Sequence, residues 1–291
     1  MGGYGWGNVS QTELYLAVNK AIDLGINFFD TADIYGLGES EEFLGKALGN
    51  RRKDIILATK FGVRRTEEGI TFYDNSPAWI REALTNSLRR LNTDYIDLYQ
   101  LHYRDDTTPI EDVVKTLEEL KKTGQIRYYG LSNVFKKNYD ELLPFKGKFV
   151  SFQDEYSLAN RKHESDMKLL ASNVCMTPLT WGSLGQGILT GKYDSSVKFD
   201  ERDRRVRPIY KNFHGEKLLK NLAIVEELKK ISLIYNKSVS SVALRYILDY
   251  LPNSVVIVGI KNTAQLISNI ESLDWALAPK HIKILQSISE D

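Results

Sequence analysis

Asp30, Tyr35, Lys60 and His102 each stand at or just past the end of a short apolar run, as if several strands aimed their tips at one spot. Such a set could move a proton. A tyrosine with an ordinary pKa near ~10 is a poor acid or base at neutral pH unless its surroundings tune it. A lysine ammonium beside it would stabilise phenolate and lower that pKa, and an aspartate would keep the lysine charged and oriented through a salt bridge. A neutral histidine could donate a hydrogen bond to a carbonyl oxygen, the role that complements an acid delivering a proton to the same atom. Singly, each residue has a plainer explanation: Asp30 a turn cap, Lys60 a solvated strand end, His102 a hydrogen-bonded histidine, Tyr35 a packing ring. Jointly, consecutive strands that all end in ionisable groups are hard to explain by packing.

The elements that would position these residues are legible as a rhythm. Apolar runs at 26–31, 55–60, 95–102, 126–132, 149–154, 174–181 and 255–259 read as strands, each followed by a polar loop and then a helical pattern. That alternation implies α/β architecture with a parallel sheet. Helix starts are marked by Ser10 with Glu13, by Ser76-Pro77, and by Thr108-Pro109-Ile110-Glu111, where Thr108 would cap and Glu111 complete a capping box. Ile110, Val113, Val114, Leu117 and Leu120 then form one stripe, and Gly124 stops the helix. Counting a partial first strand near the N-terminus, about eight strand-helix units predict a single (β/α)8 TIM-barrel domain over residues 1–291. A doubly wound open sheet competes, but Gly3-Tyr4-Gly5-Trp6-Gly7 has the wrong spacing for a dinucleotide fingerprint, and there is no P-loop. In a barrel all strand ends meet in a ring, so residues distant in sequence can share a pocket.

Composition narrows the functional classes. The 291 residues are 42% hydrophobic and 26% charged, enough for a large core, and 39 Lys+Arg against 38 Asp+Glu exert no general pull on nucleic acid or membrane. No apolar run approaches the ~20 residues that span a bilayer. The four histidines are scattered without ligand spacing, so no metal is expected. Cys175, the lone cysteine, lies in an apolar stretch, and the start lacks the basic and apolar regions of a signal peptide. The expectation is a cytoplasmic protein acting on a small molecule, of unknown oligomeric state.

Over essentially its whole length the sequence resembles the aldo-keto reductases. Phe29-Asp30-Thr31-Ala32-Asp33-Ile34-Tyr35-Gly36 is similar to the family's aspartate-tyrosine signature, Ala58-Thr59-Lys60-Phe61-Gly62 carries its lysine, and Asp97-Leu98-Tyr99-Gln100-Leu101-His102 its histidine. The resemblance implies a catalytic tetrad at Asp30, Tyr35, Lys60 and His102. It implies that Ser132, Asn133 and Gln153 hold a nicotinamide carboxamide, that Trp181 stacks on the nicotinamide, and that Tyr4 adds a cofactor contact. The segment from Gly182, Ser183 and Leu184 through Gln186 and Gly187 to Lys192 resembles the pyrophosphate loop of the branch containing potassium-channel β subunits and related bacterial reductases. Arg205 would add charge there. Beyond Gly259, the family's adenosine-phosphate positions fall on Lys261, Gln265 and Asn269, where a helix N-terminus is suited to an anion. A cation at Lys261 favours NADP(H) over NAD(H) as cofactor.

Two departures and one gap follow from the resemblance. Members usually begin with a β-hairpin and a full first strand, whereas this chain begins near that strand's end. The channel-subunit branch includes cofactor-binding regulatory proteins, which typically carry asparagine where this chain has His102. The expected activity is therefore NAD(P)H-dependent reduction of aldehydes, ketones or sugar carbonyls with Tyr35 as proton donor. The alternatives are a regulatory subunit without turnover, or a sugar or polyol dehydrogenase working in the oxidative direction. Phe72, Tyr73 and Tyr103 are candidates to line a substrate pocket, but substrate identity is not readable.

Overall fold

Strands buried on both faces are what a parallel sheet covered by helices requires, and the computed structural model forms them from the expected runs. It describes residues 5–7 and 9–290. By their contacts these gather into two units, one comprising Val18–Asp154 and Asp166–Thr177, the other Gly5–Ala17, Glu155–Ser165 and 178–290.

In the first unit, which takes the C-terminal part of helix α1 (Gln11–Asp23), strand β1 (Phe28–Asp30) leads through a 3-10 turn at Tyr35–Gly38 into α2 (Glu39–Leu48). Then come β2 (Ile56–Phe61), a hairpin of β3 (Val63–Arg65) and β4 (Thr71–Tyr73), α3 (Pro77–Leu91), β5 (Ile96–Leu101), α4 (Ile110–Lys122), β6 (Ile126–Ser132) and α5 (Tyr139–Leu142). Strand β7 (Ser151–Glu155) follows, with α6 (Glu164–Leu169) at the end. The strands β1, β2, β5, β6 and β7 lie side by side in that order, all parallel. Register does the positioning: Asp30 faces Ala58, Lys60 faces Gln100, Gln100 faces Gly130, and Ser132 faces Gln153. Residues paired in register point to the same side of a sheet, so these strand ends deliver polar groups to a common face. Gly130 is needed for this spacing, because a Cβ there would come within 2.4 Å of Ser151 Oγ.

Helix α4 buries Ile110, Val113, Val114, Leu117 and Leu120, the stripe the sequence predicts. Its start differs from expectation. Pro109 is the N-cap and no side chain caps the helix; the Thr108 hydroxyl instead donates to Asp105 Oδ2 at 2.7 Å, and Asp105 Oδ1 accepts from the Thr107 and Thr108 amides. An aspartate turn has taken the threonine before the helix could. Ser76 does cap α3, accepting from Trp79 N, and Ser10 accepts from Glu13 N.

The second unit pairs β8 (Thr177–Trp181) with β9 (Val255–Val256), Leu179 facing Val255 and Thr180 facing Val256. Around them lie α7 (Gly215–Tyr235), α8 (Val239–Tyr250), α9 (Thr263–Ile270) and α10 (Pro279–Ile288). Ile224, Val225, Leu228 and Ile231 of α7 and Val242, Ala243 and Ile247 of α8 are buried there. The expected strand at 174–181 starts later, at Thr177, because Cys175 adopts a left-handed φ of 62° that closes the preceding turn. Cys175 itself is exposed, not in the core. No helix among the described residues is long and apolar enough to cross a membrane.

Candidate active site

Lys60 is fully buried. Its ammonium donates to Asp30 Oδ2 at 2.6 Å and to the Thr31 carbonyl at 2.8 Å. Two buried charges are tolerable only when their remaining bonding capacity is met, and here Asp30 Oδ1 accepts from Gln100 Nε2 at 3.0 Å and Gln153 Nε2 at 2.9 Å. Gln153 also donates to Gln100 Oε1 at 3.2 Å. Gln100 thus belongs to the site although the sequence motif assigned it no role. Its only signal was a polar residue among buried apolar neighbours, directly across from Lys60.

The charges settle as the contacts require. Burial works against the Asp30 carboxylate, yet the Lys60 ammonium and hydrogen bonds from Lys60 and Gln153 hold its pKa below the ordinary carboxylate value. Burial likewise works against the Lys60 charge, but Asp30 and Tyr35 raise its pKa above the usual lysine value. Lys60 stays charged.

Tyr35 is half-buried in the turn after β1, with Lys60 Nζ 5.2 Å from its ring centroid. Burial raises its pKa above the ordinary tyrosine value; the Lys60 ammonium pulls the other way and does not win. This corrects the expectation of a net lowering: desolvation of a phenolate outweighs one ammonium that is already shared with Asp30. The hydroxyl therefore carries its proton at neutral pH. His102 follows β5 directly, and its ring meets Tyr35 edge-on with centroids 5.8 Å apart. Burial, and then the Lys60 ammonium, push its pKa down to about 3. It is a neutral imidazole.

Next to these groups, the Ser132 hydroxyl donates to the Gln153 carbonyl at 2.8 Å, and Asn133, at φ 55°, donates from Nδ2 to the His102 carbonyl at 3.1 Å. Ser132, Asn133 and Gln153 thus gather with the tetrad in the first unit. A further charged cluster went unread in the sequence. Glu41, fully buried, accepts from Arg90 Nε at 2.7 Å and Thr59 Oγ1 at 2.5 Å, while nearby Asp33 has Oδ1 sealed from solvent without a hydrogen-bond partner. Burial, and then the Glu41 charge, raise the Asp33 pKa to about 8.

The second unit holds the remaining candidates. Trp181 ends β8; Gly182, Gln186 and Gly187 have left-handed backbone around the 3-10 turn Gly185–Thr190, and Ser183 Oγ donates to the Thr180 and Ile257 carbonyls. Leu184 precedes that turn as its N-cap. Gln186 Nε2 donates to Glu155 Oε1 at 2.9 Å. Arg205 is not a loose cation: its guanidinium bonds both Asp203 oxygens, donates to Tyr193 Oη at 2.6 Å, and lies 4.1 Å over the Phe199 ring. Lys261 donates from Nζ to the Trp6 carbonyl and from its backbone to Gln265 Oε1 at 2.8 Å, just before α9. Burial, then the charges of Arg205 and Lys192, lower the Lys261 pKa, and Asp203 pulls the other way. On α9, the buried Asn269 Nδ2 lacks a partner among the described residues. Gly259 lies just beyond β9. Tyr4 lies outside the described residues.

Comparison with known proteins gives the chain's relatives. The chain is 34% identical over 294 residues to aldo-keto reductase YhdN of Bacillus subtilis (strain 168), covering 100% of this chain and 88% of that protein. It is 29% identical over 303 residues to the NADH-specific methylglyoxal reductase of Escherichia coli (strain K12), covering 99% and 91%. The solved glycerol dehydrogenase of Gluconobacter oxydans superposes with a TM-score of 0.88 at 31% identity, over 99% of this chain and 88% of that one. The fold class is thus the (β/α)8 barrel, and the chain is an NAD(P)H-dependent oxidoreductase by descent. The model of the aldo/keto reductase family matches residues 1–290, and the chain belongs to that family.

Proposed function

We propose that the protein reduces small polar aldehydes, ketones or sugar carbonyls to alcohols, with NADPH as the preferred cofactor and the cytoplasm as its setting. The observation that carries this reading is the Tyr35 ring 5.2 Å from the ammonium of Lys60, which is buried and paired with Asp30 at 2.6 Å. A phenol that keeps its proton at neutral pH is the form reduction consumes, and the adjacent ammonium stabilises the phenolate left behind. Asp30, Gln100 and Gln153 hold that ammonium in place. His102, neutral, donates to the carbonyl oxygen and orients it. The reduced nicotinamide supplies the hydride when bound.

The residues fit such a cofactor. An anionic phosphate would restore the charge of Lys261, which burial and then Arg205 and Lys192 disfavour, and Asn269 has an unspent donor in the same unit. Gln265 and Gly259 accompany Lys261, while Gly182, Ser183, Leu184, Gln186 and Gly187 offer loop backbone to a pyrophosphate and Trp181 a ring to the nicotinamide. Ser132, Asn133 and Gln153 would take the carboxamide. One relative named NADH-specific argues the other way, so the preference for NADPH rests on Lys261.

The name of the glycerol dehydrogenase relative favours polyol oxidation. That direction needs Tyr35 as phenolate, which its raised pKa opposes at neutral pH. A panel of aldehydes, ketones and sugars followed by NADPH absorbance tests the reading. Wild type should turn over at least one of them, and His102→Asn should lower that rate by roughly 10–10³-fold with NADPH binding nearly intact. No turnover across the panel, together with tight NADPH binding, would instead identify a regulatory binding protein.

A further inference from the structure

Among the described residues, no hydrogen bond holds the imidazole of His102. Its Nδ1 is sealed from solvent without a partner, whereas a working histidine ordinarily has its far nitrogen bonded, which fixes tautomer and ring angle. A buried Nδ1 with no acceptor is best left bare, which puts the proton on Nε2. The ring angle must then be set by something else.

Aromatic faces supply it. Tyr103 stacks on His102 with centroids 5.1 Å apart and planes at 25°. Tyr73, in hairpin strand β4, stacks on Tyr103 at 5.0 Å and 16°. The backbone under this ladder is pinned: Asn75 Nδ2 donates to the Tyr103 carbonyl at 3.0 Å, and Asn75 Oδ1 accepts from the Asp105 amide at 2.8 Å and Arg104 at 3.2 Å. Asn133 holds the His102 carbonyl from the other side. The hairpin end and the segment after β5 therefore cannot slide apart without breaking several bonds.

Building on the reductase reading, we propose that Tyr103, backed by Tyr73, is a positioning residue whose stacked ring sets the angle at which His102 presents Nε2, in place of a hydrogen bond to Nδ1. The ladder has a second consequence. Tyr73 and Tyr103 also line a cleft of about 210 Å³ with Asn133 and Phe135, so a substrate seated there would touch the same rings that orient the imidazole.

The test compares Tyr103→Leu, which removes the flat face, with Tyr103→Phe, which keeps it and removes only the hydroxyl. With NADPH and glyceraldehyde, the leucine variant should lose roughly 10-fold in kcat while NADPH Kd stays within about 2-fold, as misorientation of one transition-state donor predicts. The phenylalanine variant should recover most of that loss. In NMR spectra the His102 ring protons, assigned by their disappearance in His102→Asn, should lie upfield in wild type and move downfield in the leucine variant. Unmoved His102 resonances, a loss confined to KM, or a phenylalanine variant as slow as the leucine one would each overturn the proposal. Should Tyr103→Leu fail to fold, Tyr73→Leu on the exposed hairpin serves, with a roughly 3-fold loss in kcat and a smaller resonance shift expected. A wild type inactive on every carbonyl would sink the reductase reading, while the resonances would still decide the stack.

Discussion

Lys60 and Tyr35 divide one electrostatic problem between them: the ammonium keeps its charge because Asp30 satisfies it, and the phenol keeps its proton because burial outweighs the ammonium. A pH profile should expose both facts. His102, held neutral down to about pH 3, cannot contribute an inflection near its ordinary value, and Tyr35 loses its proton only above the ordinary tyrosine range. With saturating NADPH, kcat/KM for reduction should be flat between pH ~5.5 and ~9 and fall only on the alkaline side, where the acid is spent. A steep change centred near pH ~6.5 would mean that a titrating histidine, not Tyr35, sets the rate. The grouping of Asp30, Tyr35, Lys60 and His102 was legible at this scale because they stand at or just past the ends of apolar runs. Gln100 was not, since a glutamine inside a strand reads as a lapse in the pattern until the register places it opposite Lys60. Nor was the direction of the Tyr35 shift, which depends on how far burial outweighs charge.

The turn between β1 and α2 shows what element geometry demands. Gly38, at φ 104°, lets the chain pass within 2.6 Å of Arg90 Cδ at the position a Cβ would take, and Arg90 in turn neutralises buried Glu41. Asp33 is left beside this pair without a cation of its own. Its folded pKa, about 8, exceeds its unfolded value of 3.8. The folded state therefore binds the extra proton between those values, and its advantage is lost as pH rises through that window. Asp33→Asn should accordingly leave Tm little changed near pH 4 and raise it by a few degrees at pH ~9 relative to wild type. Thermal melts across that range check it, and equal Tm values at both ends would show that Asp33 ionises without penalty. Most element types followed from periodicity, but the β3–β4 hairpin did not, and a left-handed residue at Cys175 and an aspartate turn at Asp105 moved a strand start and a helix cap. Both are tertiary or side-chain events that a hydrophobic pattern does not encode.

Across the whole molecule, the composition excluded little beyond nucleic acid and membrane as expected partners. It was the alternation of strand and helix that pointed to the (β/α)8 class later seen in the match to the Gluconobacter oxydans enzyme. Cofactor choice is to be tested in the second unit, where Lys261 stands just before α9. Lys261→Ala should weaken NADPH by about 10-fold or more, as loss of a charged phosphate contact does, and NADH far less. Equal losses in fluorescence titrations of the two would assign Lys261 to the backbone contact at Trp6 alone. The central claim, that this chain is a reductase with Tyr35 as its acid, is tested most directly by single-turnover oxidation of bound NADPH in Tyr35→Phe beside wild type. The ring and its packing survive that change and only the hydroxyl, with its proton, is removed. NADPH affinity should hold, and the rate of nicotinamide oxidation in the presence of aldehyde should fall at least ~10²-fold; an unchanged rate would contradict the account.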